Sequence, residues 1–427
     1  MTQLTDSQQV AFDKMSAWLR APVDQPFVLR GPAGTGKTFT VKPTIKTFPR
    51  PLALTAPTNK AARVLRETTH EPTFRPKCKT IHSLLGLRMQ ANGEIKELAA
   101  PEDDEDIDLS ELQLVVVDEA SMVGAELLGY ILSRARKDDF RVLFMGDPFQ
   151  LPPVGEKQSP VWGLELPDSN QHELTDIKRY GGTILDYATN LRQQSIRPFP
   201  QLNAGKFADG NALVGLRSDE FNDRIVAAAL ENEFSSGRGT RVLAWTNAQV
   251  LEHNSLIRKA LYGKSAAAEY PWIAGDRVVF TAPGKDIDDK PQHSTDDEGK
   301  VESVGEGIHP TYSGFLCHIL RIRLDYGGIV TAYVLHPSSA LTFKREANEK
   351  LQAAKRDTRK WKDYWEFREA FHELRHSYAL TVHRSQGSTY KRVYADQANI
   401  LRNRNRAEAF QCLYVAATRA SSQLFYR

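Results

Sequence analysis

The chain has 427 residues, which at about 150 residues per domain predicts roughly three domains with sizeable hydrophobic cores. Apolar residues make up 41%, charged residues 26% and aromatic residues 9%. These values exclude global disorder, fibrous repeats and a disulfide-stapled mini-protein. The net charge of +3 does not by itself indicate a nucleic-acid-binding protein, although an acidic segment at residues 102–108 is balanced by basic stretches elsewhere.

The sequence has no run of about 20 apolar residues, and residues 1–9 are polar. It therefore predicts no membrane span, no secretory signal and a cytoplasmic location. The three cysteines, Cys78, Cys317 and Cys412, are odd in number and far apart. This spacing predicts free thiols in a reducing compartment and argues against a structural zinc.

Short apolar runs alternate with helical segments in the first half of the chain, a pattern typical of a parallel sheet covered by helices on both faces. The predicted strands are residues 27–30, 52–56, 114–117 and 142–145. A second α/β segment begins near Leu174 and resumes at Tyr378. It contains a predicted strand at 242–245 and a predicted helix at about 247–261.

Two segments break this alternation. Residues 85–110 contain Asn92-Gly93, which predicts a β-hairpin, here followed by the acidic loop. Short strands at 276–281, 314–324 and 329–335, joined by the polar stretch 284–307, predict a small β-barrel. Residues 348–374 then predict charged helices, whose aromatic stripe either packs inside the protein or contacts a partner.

The segment Gly31-Pro-Ala-Gly-Thr-Gly-Lys-Thr38 fits the phosphate-loop pattern GxxxxGK[ST] between a predicted strand and a predicted helix. Glycines at 31, 34 and 36 let the backbone N–H groups approach the phosphates of ATP. We expect Lys37 to contact the β- and γ-phosphates and the Thr38 hydroxyl to ligate Mg²⁺.

Carboxylates follow another predicted strand, in Val115-Val-Val-Asp-Glu-Ala-Ser121. Asp118 is suited to the Mg²⁺ shell and Glu119 to orienting and deprotonating an attacking water, so we expect hydrolysis as well as binding. Gln150, in a loop after the strand at 142–145, either senses the γ-phosphate or is a surface residue.

In the same order along the chain, these segments resemble the motifs of superfamily 1 helicases. The matching segments are 4–8 (Q motif), 55–63 (Ia), 80–82 (Ib), 118–121 (II), 146–150 (III), 174–179 (IV), 381–389 (V) and 414–419 (VI). The length and both insertions resemble the Dda-type phage helicases of the RecD-like branch. The resemblance spans essentially the whole chain.

This resemblance implies an α/β fold with two RecA-like parallel-sheet motor domains. The first would comprise residues 1–84 and 111–168, and the second residues 169–268 and 376–427. Residues 85–110 would form a β-hairpin pin with its acidic loop, and residues 269–375 a small β-barrel with a charged helical region.

The resemblance also implies roles for single residues. Gln8 would read adenine, Gln150 would act in catalysis, and Arg179 and Arg419 would serve as arginine fingers. Single-stranded DNA would contact Pro57, Thr58, Thr80, His82, Thr246, Thr381 and His383. The alternative is that the Thr and His residues of that set cap helices or fill polar corners.

Two further roles follow from the family pattern. Gln386 and Gly387 would couple the DNA grip to the nucleotide. The hairpin has no Phe, Tyr or Trp between Gly86 and Leu112, so Met89, Ile95 or Leu98 would separate the strands in place of an aromatic pin.

The function predicted is an ATP- and Mg²⁺-dependent DNA helicase that moves 5′ to 3′ on single-stranded DNA and opens duplex or forked DNA. We expect a monomer in the host cytoplasm, with a phage single-strand-binding or replication protein as a candidate partner. One alternative is a DNA-stimulated ATPase that loads or remodels without efficient unwinding. A phosphate-loop kinase is disfavoured by Glu119 and the arginines, and a nuclease by the lack of another metal-spaced carboxylate cluster.

Overall fold

The computed structural model describes residues 4–22, 25–48, 50–89, 95–97, 109–177, 182–193, 205–206, 212–288 and 290–427. The chain divides into two compact units. The first unit is Met1–Gly215 with Ser385–Arg427, and the second unit is Leu216–Arg384. Within the described ranges, no helix combines the length and hydropathy required to cross a bilayer.

Helices and strands alternate along residues 4–215 of the first unit. They are α1 (Asp6–Arg20), β1 (Phe27–Arg30), α2 (Lys37–Lys46), β2 (Leu52–Ala56), α3 (Asn59–Thr69), β3 (Lys77–Thr80), α4 (Ile81–Leu84), β4 (Leu87–Met89), β5 (Ile95–Glu97), β6 (Leu114–Val117), α5 (Ala125–Asp138), β7 (Arg141–Gly146), β8 (Gln171–Glu173), α6 (Gly182–Arg192), β9 (Gly205–Lys206) and β10 (Ala212–Gly215).

A six-stranded sheet with the order β3-β2-β6-β7-β1-β8 forms the centre of this part, and all its neighbouring strands are parallel. Its inner strands β1, β2, β6 and β7 are mainly apolar because both of their faces are covered. Leu114 and Val116 belong to one core cluster, and Val115 and Val117 belong to the cluster on the other face. The strands predicted at 27–30, 52–56 and 114–117 are confirmed, and the one at 142–145 is longer by a residue at each end.

The second unit contains an α/β part and an antiparallel part. Its elements are α7 (Ser218–Leu230), β11 (Thr240–Ala244), α8 (Asn247–Tyr262), α9 (Lys264–Glu269), β12 (Arg277–Phe280), β13 (Gly284–Lys285), β14 (Pro291–His293), β15 (Glu298–Ile308), β16 (Leu316–Leu324), β17 (Ile329–Leu335), α10 (Ala340–Arg356), α11 (Trp361–Glu369), β18 (Leu374–His376) and β19 (Ala379–Thr381). Strands β11 and β19 are parallel neighbours. The side chain of Asn254 on α8 both donates to and accepts from the backbone of Ala379, which fastens the helix to this pair.

The insertion in the second unit is a five-stranded antiparallel sheet with the order β17-β16-β15-β12-β18. The prediction of 284–307 as a polar connection is wrong, because it contains most of β15. That strand is rich in Gly and Glu, yet it pairs on both sides, so tertiary pairing overrides its weak intrinsic preference. The His372 N–H donates to the Tyr333 carbonyl of the edge strand β17, while closure into a barrel stays a prediction. The helices also begin earlier than predicted, at Ala340.

The first unit is completed by β20 (Tyr390–Ala395), α12 (Gln397–Ile400), α13 (Arg406–Arg419) and β21 (Ala420–Tyr426). Strand β21 lies in parallel between β20 and β10, and β9 pairs with β10 in the antiparallel sense. Helix α13 is buried at every residue from Cys412 to Arg419. The Tyr187 hydroxyl donates to the Gln397 side chain at 3.0 Å, which joins α6 to α12.

Strands β4 and β5 pair in the antiparallel sense, with Met89 opposite Ile95, as a hairpin requires. The Asn92-Gly93 turn, Leu98 and the acidic segment at 102–108 lie outside the described residues. The structure therefore describes the backbone pairing of the hairpin, and the strand-separating role of its side chains stays a prediction.

Candidate active site

The loops that carry the predicted chemistry follow strands of the six-stranded parallel sheet. Because parallel strands end at the same edge, the loops after β1, β2, β6 and β7 share that edge. Strand β7 lies beside β1, so the loop that begins at Asp147 is the neighbour of the phosphate loop. The edge of the sheet therefore assembles four of the predicted motifs.

The phosphate loop requires glycine for two physical reasons. Gly34 and Gly36 have φ of 86° and 79°, in the left-handed region that favours glycine. A Cβ at Gly36 would lie 2.8 Å from Gln8 Nε2, and one at Gly31 would lie 2.8 Å from Thr35 Oγ1. No side chain caps α2, so its first N–H groups face the loop, as in an anion-binding helix terminus.

Lys37, the first residue of α2, turns back over this loop. Its ammonium donates to the carbonyls of Gly31 at 2.9 Å and Pro32 at 3.1 Å. Thr38 follows it and is half-buried. The cation and the hydroxyl thus lie beside the glycine cradle, as the sequence pattern requires.

Gln8 reaches the phosphate loop from α1. Its side chain accepts from the Thr5 N–H at 3.1 Å and donates to the Thr35 carbonyl at 3.0 Å. The same glutamine completes a capping box with Thr5. Gln8 therefore braces the loop through its amide group, and its reading of adenine stays a prediction.

Asp118 and Glu119 follow β6 at the same edge. The Asp118 N–H donates to the Thr55 carbonyl at 2.8 Å, and its carboxylate accepts from the Glu119 N–H at 2.8 Å. Glu119 has φ 50° and ψ 43°, a left-handed conformation that costs a non-glycine residue about 1–2 kcal/mol. Strain of this kind concentrates at functional sites, and here it turns the chain sharply after the carboxylates.

Asp147 forms a buried network that the sequence analysis did not single out. Its carboxylate accepts from the Ala33 N–H at 2.8 Å, the Tyr414 hydroxyl at 2.6 Å and the Phe149 N–H at 3.0 Å. Tyr414 also accepts from the Ala33 N–H at 3.2 Å. Asp147 and Tyr414 are both fully buried. The Asp147 carboxylate, directly after β7, therefore links the phosphate loop to α13 through buried hydrogen bonds.

Several buried polar atoms of the first unit lack a hydrogen-bond partner within the described residues, and four of them lie in the segments that resemble motifs II, III and V. They are Ser121 Oγ, Gln150 Oε1, Gln386 Nε2 and Ser388 Oγ. Buried polar groups are almost always paired with protein, water or ligand. All four belong to segments that resemble helicase motifs, and Gln150 and Gln386 are predicted site residues. Gln150 is buried, so the alternative that it is only a surface residue is wrong.

Arg419, at the end of α13, is buried and donates to three oxygen atoms. These are the carbonyls of Val415 at 3.2 Å and Ser388 at 3.1 Å and the hydroxyl of Thr418 at 3.2 Å. The guanidinium is thereby fixed to the segment that contains Gln386 and Gly387. Arg179 lies outside the described residues.

The candidate DNA contacts of the first unit cluster around helix starts. Thr58, after Pro57, caps α3 by accepting from the Ala61 N–H at 3.2 Å, and Thr80 caps α4 in the same way. His82 has a buried Nε2 without a partner among the described residues, and burial lowers its pKa. It is therefore neutral at pH 7.

The C-terminal segment contacts the start of α3, which the sequence did not predict. A Cβ at Gly387 (φ 74°) would lie 3.4 Å from Ala61 Cβ. The Lys60 ammonium lies 6.0 Å from the centroid of the Tyr390 ring, within reach of a cation–π interaction. Two signals could have drawn attention to these residues, namely the glycine in the Gln-Gly-Ser segment and the lysine beside Thr58.

The candidates of the second unit repeat the local arrangement around Thr58. Thr246 follows β11 and caps α8 by accepting from the Gln249 N–H at 3.3 Å. Thr381 ends β19 and accepts from the Arg384 N–H at 3.4 Å. His383 begins the short 3-10 turn that follows. Both threonines therefore stabilise local structure, as the alternative prediction states. These local hydrogen bonds do not prevent the same side chains from contacting DNA.

Family models match two parts of the chain. An AAA domain model matches residues 3–206, and a UvrD-like helicase C-terminal domain model matches residues 376–425. The matched segments contain the phosphate loop, Asp147, Tyr414 and Arg419.

The chain is similar over its whole length to known proteins. It is 25% identical to the ATP-dependent DNA helicase dda of Enterobacteria phage T4, over 99% of each chain. It is 24% identical to an uncharacterised protein of Acanthamoeba polyphaga mimivirus, over 98% of each. Its fold matches that of Bacteroides Pif1 helicase in complex with ADP-AlF3 and single-stranded DNA, with a TM-score of 0.54, 17% identity, and coverage of 100% of this chain and 92% of that one. The chain is thus an ATP-hydrolysing DNA helicase that is similar along its whole length to the Dda helicase of phage T4.

Proposed function

We propose that this helicase moves 5′ to 3′ along single-stranded DNA, drives each step with Mg²⁺-dependent ATP hydrolysis, and separates duplex or forked DNA ahead of it. The observation that carries the proposal is the Asp147 network. It connects the Ala33 N–H of the phosphate loop to Tyr414 of α13 through one carboxylate. A change in the conformation of the phosphate loop when nucleotide binds or leaves would therefore be transmitted to α13 through these hydrogen bonds.

The nucleotide would lie against the glycine loop and the open N-terminus of α2. Lys37 would exchange its two carbonyl acceptors for phosphate oxygens, which form stronger charge-assisted bonds. The hydroxyl of Thr38 and the carboxylate of Asp118 are oxygen donors of the type that Mg²⁺ prefers. When bound, Mg²⁺ would neutralise charge on the β- and γ-phosphates.

Glu119 would act on the attacking water. Its carboxylate follows Asp118 on a strained turn, and it would accept the proton of a water aligned with the γ-phosphate. Gln150, whose Oε1 lacks a partner among the described residues, would bond to that water or to a phosphate oxygen. Arg419 and Arg179 would stabilise the charge that develops in the transition state.

The DNA strand would be held mainly through its phosphates. The candidates are Pro57, Thr58, Thr80 and His82 on the first unit, and Thr246, Thr381 and His383 on the second. The threonines and histidines offer hydroxyls, ring nitrogens and backbone N–H groups, whereas Pro57, which has no backbone N–H, offers an apolar contact. Neutral donors hold a phosphate less tightly than Lys or Arg would. A motor benefits from such a grip because it must release the strand at every step.

Coupling between the two ligands would pass through Gln386 and Gly387. Gly387 packs against Ala61 beside the Thr58 cap, and Arg419 donates to the carbonyl of nearby Ser388. The same short segment therefore contacts a proposed DNA grip and a proposed arginine finger. A phage single-strand-binding or replication protein as partner, a monomeric state and a cytoplasmic location also stay predictions.

The test combines ATP hydrolysis, with and without single-stranded DNA, with unwinding of duplexes that bear a 5′ or a 3′ overhang. We expect DNA to stimulate hydrolysis and only the 5′ overhang to support unwinding. The Lys37→Ala variant should lose turnover, whereas Lys46→Ala on the same helix, paired with Glu71, should keep it. Unwinding from the 3′ overhang alone would refute the proposed direction.

A second candidate function is loading or remodelling without efficient unwinding, favoured by the absence of aromatic residues between Gly86 and Leu112. Met89, Ile95 and Leu98 would be the apolar wedge of an unwinding enzyme. Replacing these three residues by Ala should then reduce unwinding and spare DNA-stimulated hydrolysis. Strong stimulation of the wild type without unwinding from either overhang would select the loading function.

A further inference from the structure

Three potential metal ligands from separate segments meet on the antiparallel sheet of the second unit. Glu306 lies on β15 directly opposite His318 on β16. His336 follows β17, and its N–H donates to the Leu316 carbonyl at 2.9 Å. The pairing of three neighbouring strands therefore fixes the backbone of all three residues.

The ligand atoms are close enough for one ion. One oxygen of Glu306 and one ring nitrogen each of His318 and His336 lie within 4.8 Å of one another. The His318 Nδ1 is 3.3 Å from the Glu306 Oε1. A tetrahedral ion with ligand distances of about 2.0–2.1 Å separates its ligand atoms by about 3.3 Å. One pair already has this spacing, and side-chain rotation of the partly exposed Glu306 and His336 would bring the third ligand in.

The hydrogen bonds of the His336 ring both involve Nδ1, which leaves Nε2 as the candidate ligand atom. Its Nδ1 accepts from the Ser338 N–H at 3.2 Å and lies 2.7 Å from the Ser338 hydroxyl. Because Nδ1 accepts here, Nε2 carries the proton of the neutral ring. Binding of an ion through Nε2 requires that proton to move to Nδ1, which then donates to the Ser338 hydroxyl in place of accepting from the N–H. A hydrogen bond of this kind on the remote nitrogen fixes the tautomer of a metal-bound histidine.

The surroundings of His318 favour a neutral ring. His318 is 5% exposed, and it lies on the same face of β16 as Leu320 of the apolar core cluster. Burial and the neighbouring His336 lower its pKa, whereas Glu306 raises it, with a net decrease. Its Nε2 has no hydrogen-bond partner within the described residues.

We propose that Glu306, His318 and His336 form a binding site for a divalent transition-metal cation of the Zn²⁺ class. The ion would take His318 Nδ1, His336 Nε2 and a Glu306 oxygen, with water as the fourth ligand. As the ion binds, the His318 proton moves from Nδ1 to Nε2 and the His336 proton moves from Nε2 to Nδ1. Two histidines and one glutamate are a known Zn²⁺ ligand set, and the ion would clip β15, β16 and β17 together. The cysteine pattern argued against zinc, and this site uses no cysteine.

The test uses the full chain without nucleotide, after treatment with a chelator, and Co²⁺ as a spectroscopic probe followed by Zn²⁺. We expect one equivalent of Co²⁺ to give the visible absorption of a tetrahedral ion, and Zn²⁺ to displace it. Zn²⁺ should also raise the melting temperature, since it binds the folded state. Glu306 and His336 are replaced first, because they are more exposed than His318. A His318 variant removes a buried side chain and would therefore also affect folding.

Glu306→Gln and His336→Gln should each weaken Co²⁺ binding by more than about tenfold and abolish the Zn²⁺ effect on melting. Glu302→Gln is the matched control, because Glu302 lies on the same strand and pairs with Arg321 and Arg323 instead. Its binding should equal that of the wild type. Wild-type affinity in both ligand variants, or no binding by the wild type, would overturn the proposal.

Discussion

The hydroxyl of Tyr414 donates to Asp147 at 2.6 Å, and the two residues are 267 positions apart in the sequence. Both side chains are fully buried, and the ring of Phe149 packs edge-on against Tyr414 with centroids 5.1 Å apart. Each carboxylate oxygen of Asp147 thus has a donor. In a buried site, losing one such donor costs more free energy than the hydrogen bond itself contributes.

We expect Tyr414→Phe to reduce the base pairs unwound per ATP consumed, because it removes the link between α13 and the phosphate loop. The free energy of unfolding should fall by about 1–3 kcal/mol. The checks are unwinding and phosphate release in one reaction, and chemical denaturation.

Tyr187→Phe is the control for this change. It removes another buried tyrosine hydroxyl of the first unit, bonded to Gln397, so it should lower stability and leave the coupling ratio unchanged. An equal loss of coupling in both variants would mean that the Asp147 network is only structural.

We expect Gly36→Ala to lose nucleotide binding. The new Cβ would lie 2.8 Å from Gln8 Nε2, and the left-handed backbone adds about 1–2 kcal/mol of strain. Binding of a fluorescent ADP analogue measures the effect. Gly129→Ala on α5 is the matched control, since nothing lies within 4 Å of its Cβ and a helical alanine is favourable by about 0.5–1 kcal/mol. Normal ADP binding by Gly36→Ala would contradict the loop geometry.

We expect Arg419→Ala to keep the affinity for ATP within a few-fold and to lower kcat strongly, since an arginine finger acts mainly in the transition state. The variant also leaves the Val415 and Ser388 carbonyls without their donor, so its folding must be verified by melting. Single-turnover hydrolysis and nucleotide titration separate the two effects. A loss of affinity with unchanged kcat would assign Arg419 to ground-state binding.

The stability of the second unit should fall in acid. Burial lowers the pKa of His293 to about 4 and that of His372 to about 3, below the usual 6.5. The unfolded chain therefore binds more protons than the folded chain between about pH 6.5 and pH 3. The stabilisation is complete above pH 6.5 and is lost as the pH falls through this window.

Denaturant midpoints at pH 7 and pH 4.5 measure this loss. His293 stacks on Phe280 with centroids 3.5 Å apart, and His372 and His309 are the titratable neighbours of this cluster. His293→Phe removes one titrating ring, so the difference between the two midpoints should shrink. A difference unchanged by this variant would place the acid sensitivity elsewhere.

The sequence predicts the sheet edge well because the patterns that indicate its strands and loops each lie within a few consecutive residues. A run such as Leu114–Val117 is apolar throughout, and the GxxxxGK[ST] spacing encodes a strand-to-helix turn. Long-range pairing is not local in this sense. Nothing near Asp147 indicates Tyr414, and nothing in the composition of β15 indicates pairing on both sides. The spacings of Glu306, His318 and His336 match no motif, since three different strands bring them together.

The helix caps show a subtler limit. We predict Thr58 and Thr246 as DNA contacts, with capping as the alternative, and the hydroxyls do cap α3 and α8. A sequence cannot separate these roles, because a half-buried hydroxyl at a helix start can accept from a backbone N–H and can also donate to a phosphate.

Helix α13 is enclosed on every side from Cys412 to Arg419, and Tyr414 and Arg419 are about 7.5 Å apart along its axis. A helix packed in this way moves as a rod and does not bend between these two points. The residue that contacts Asp147 and the proposed arginine finger would then advance and retreat together. One displacement of α13 would then both respond to the phosphate loop through Tyr414 and move the Arg419 guanidinium relative to the γ-phosphate.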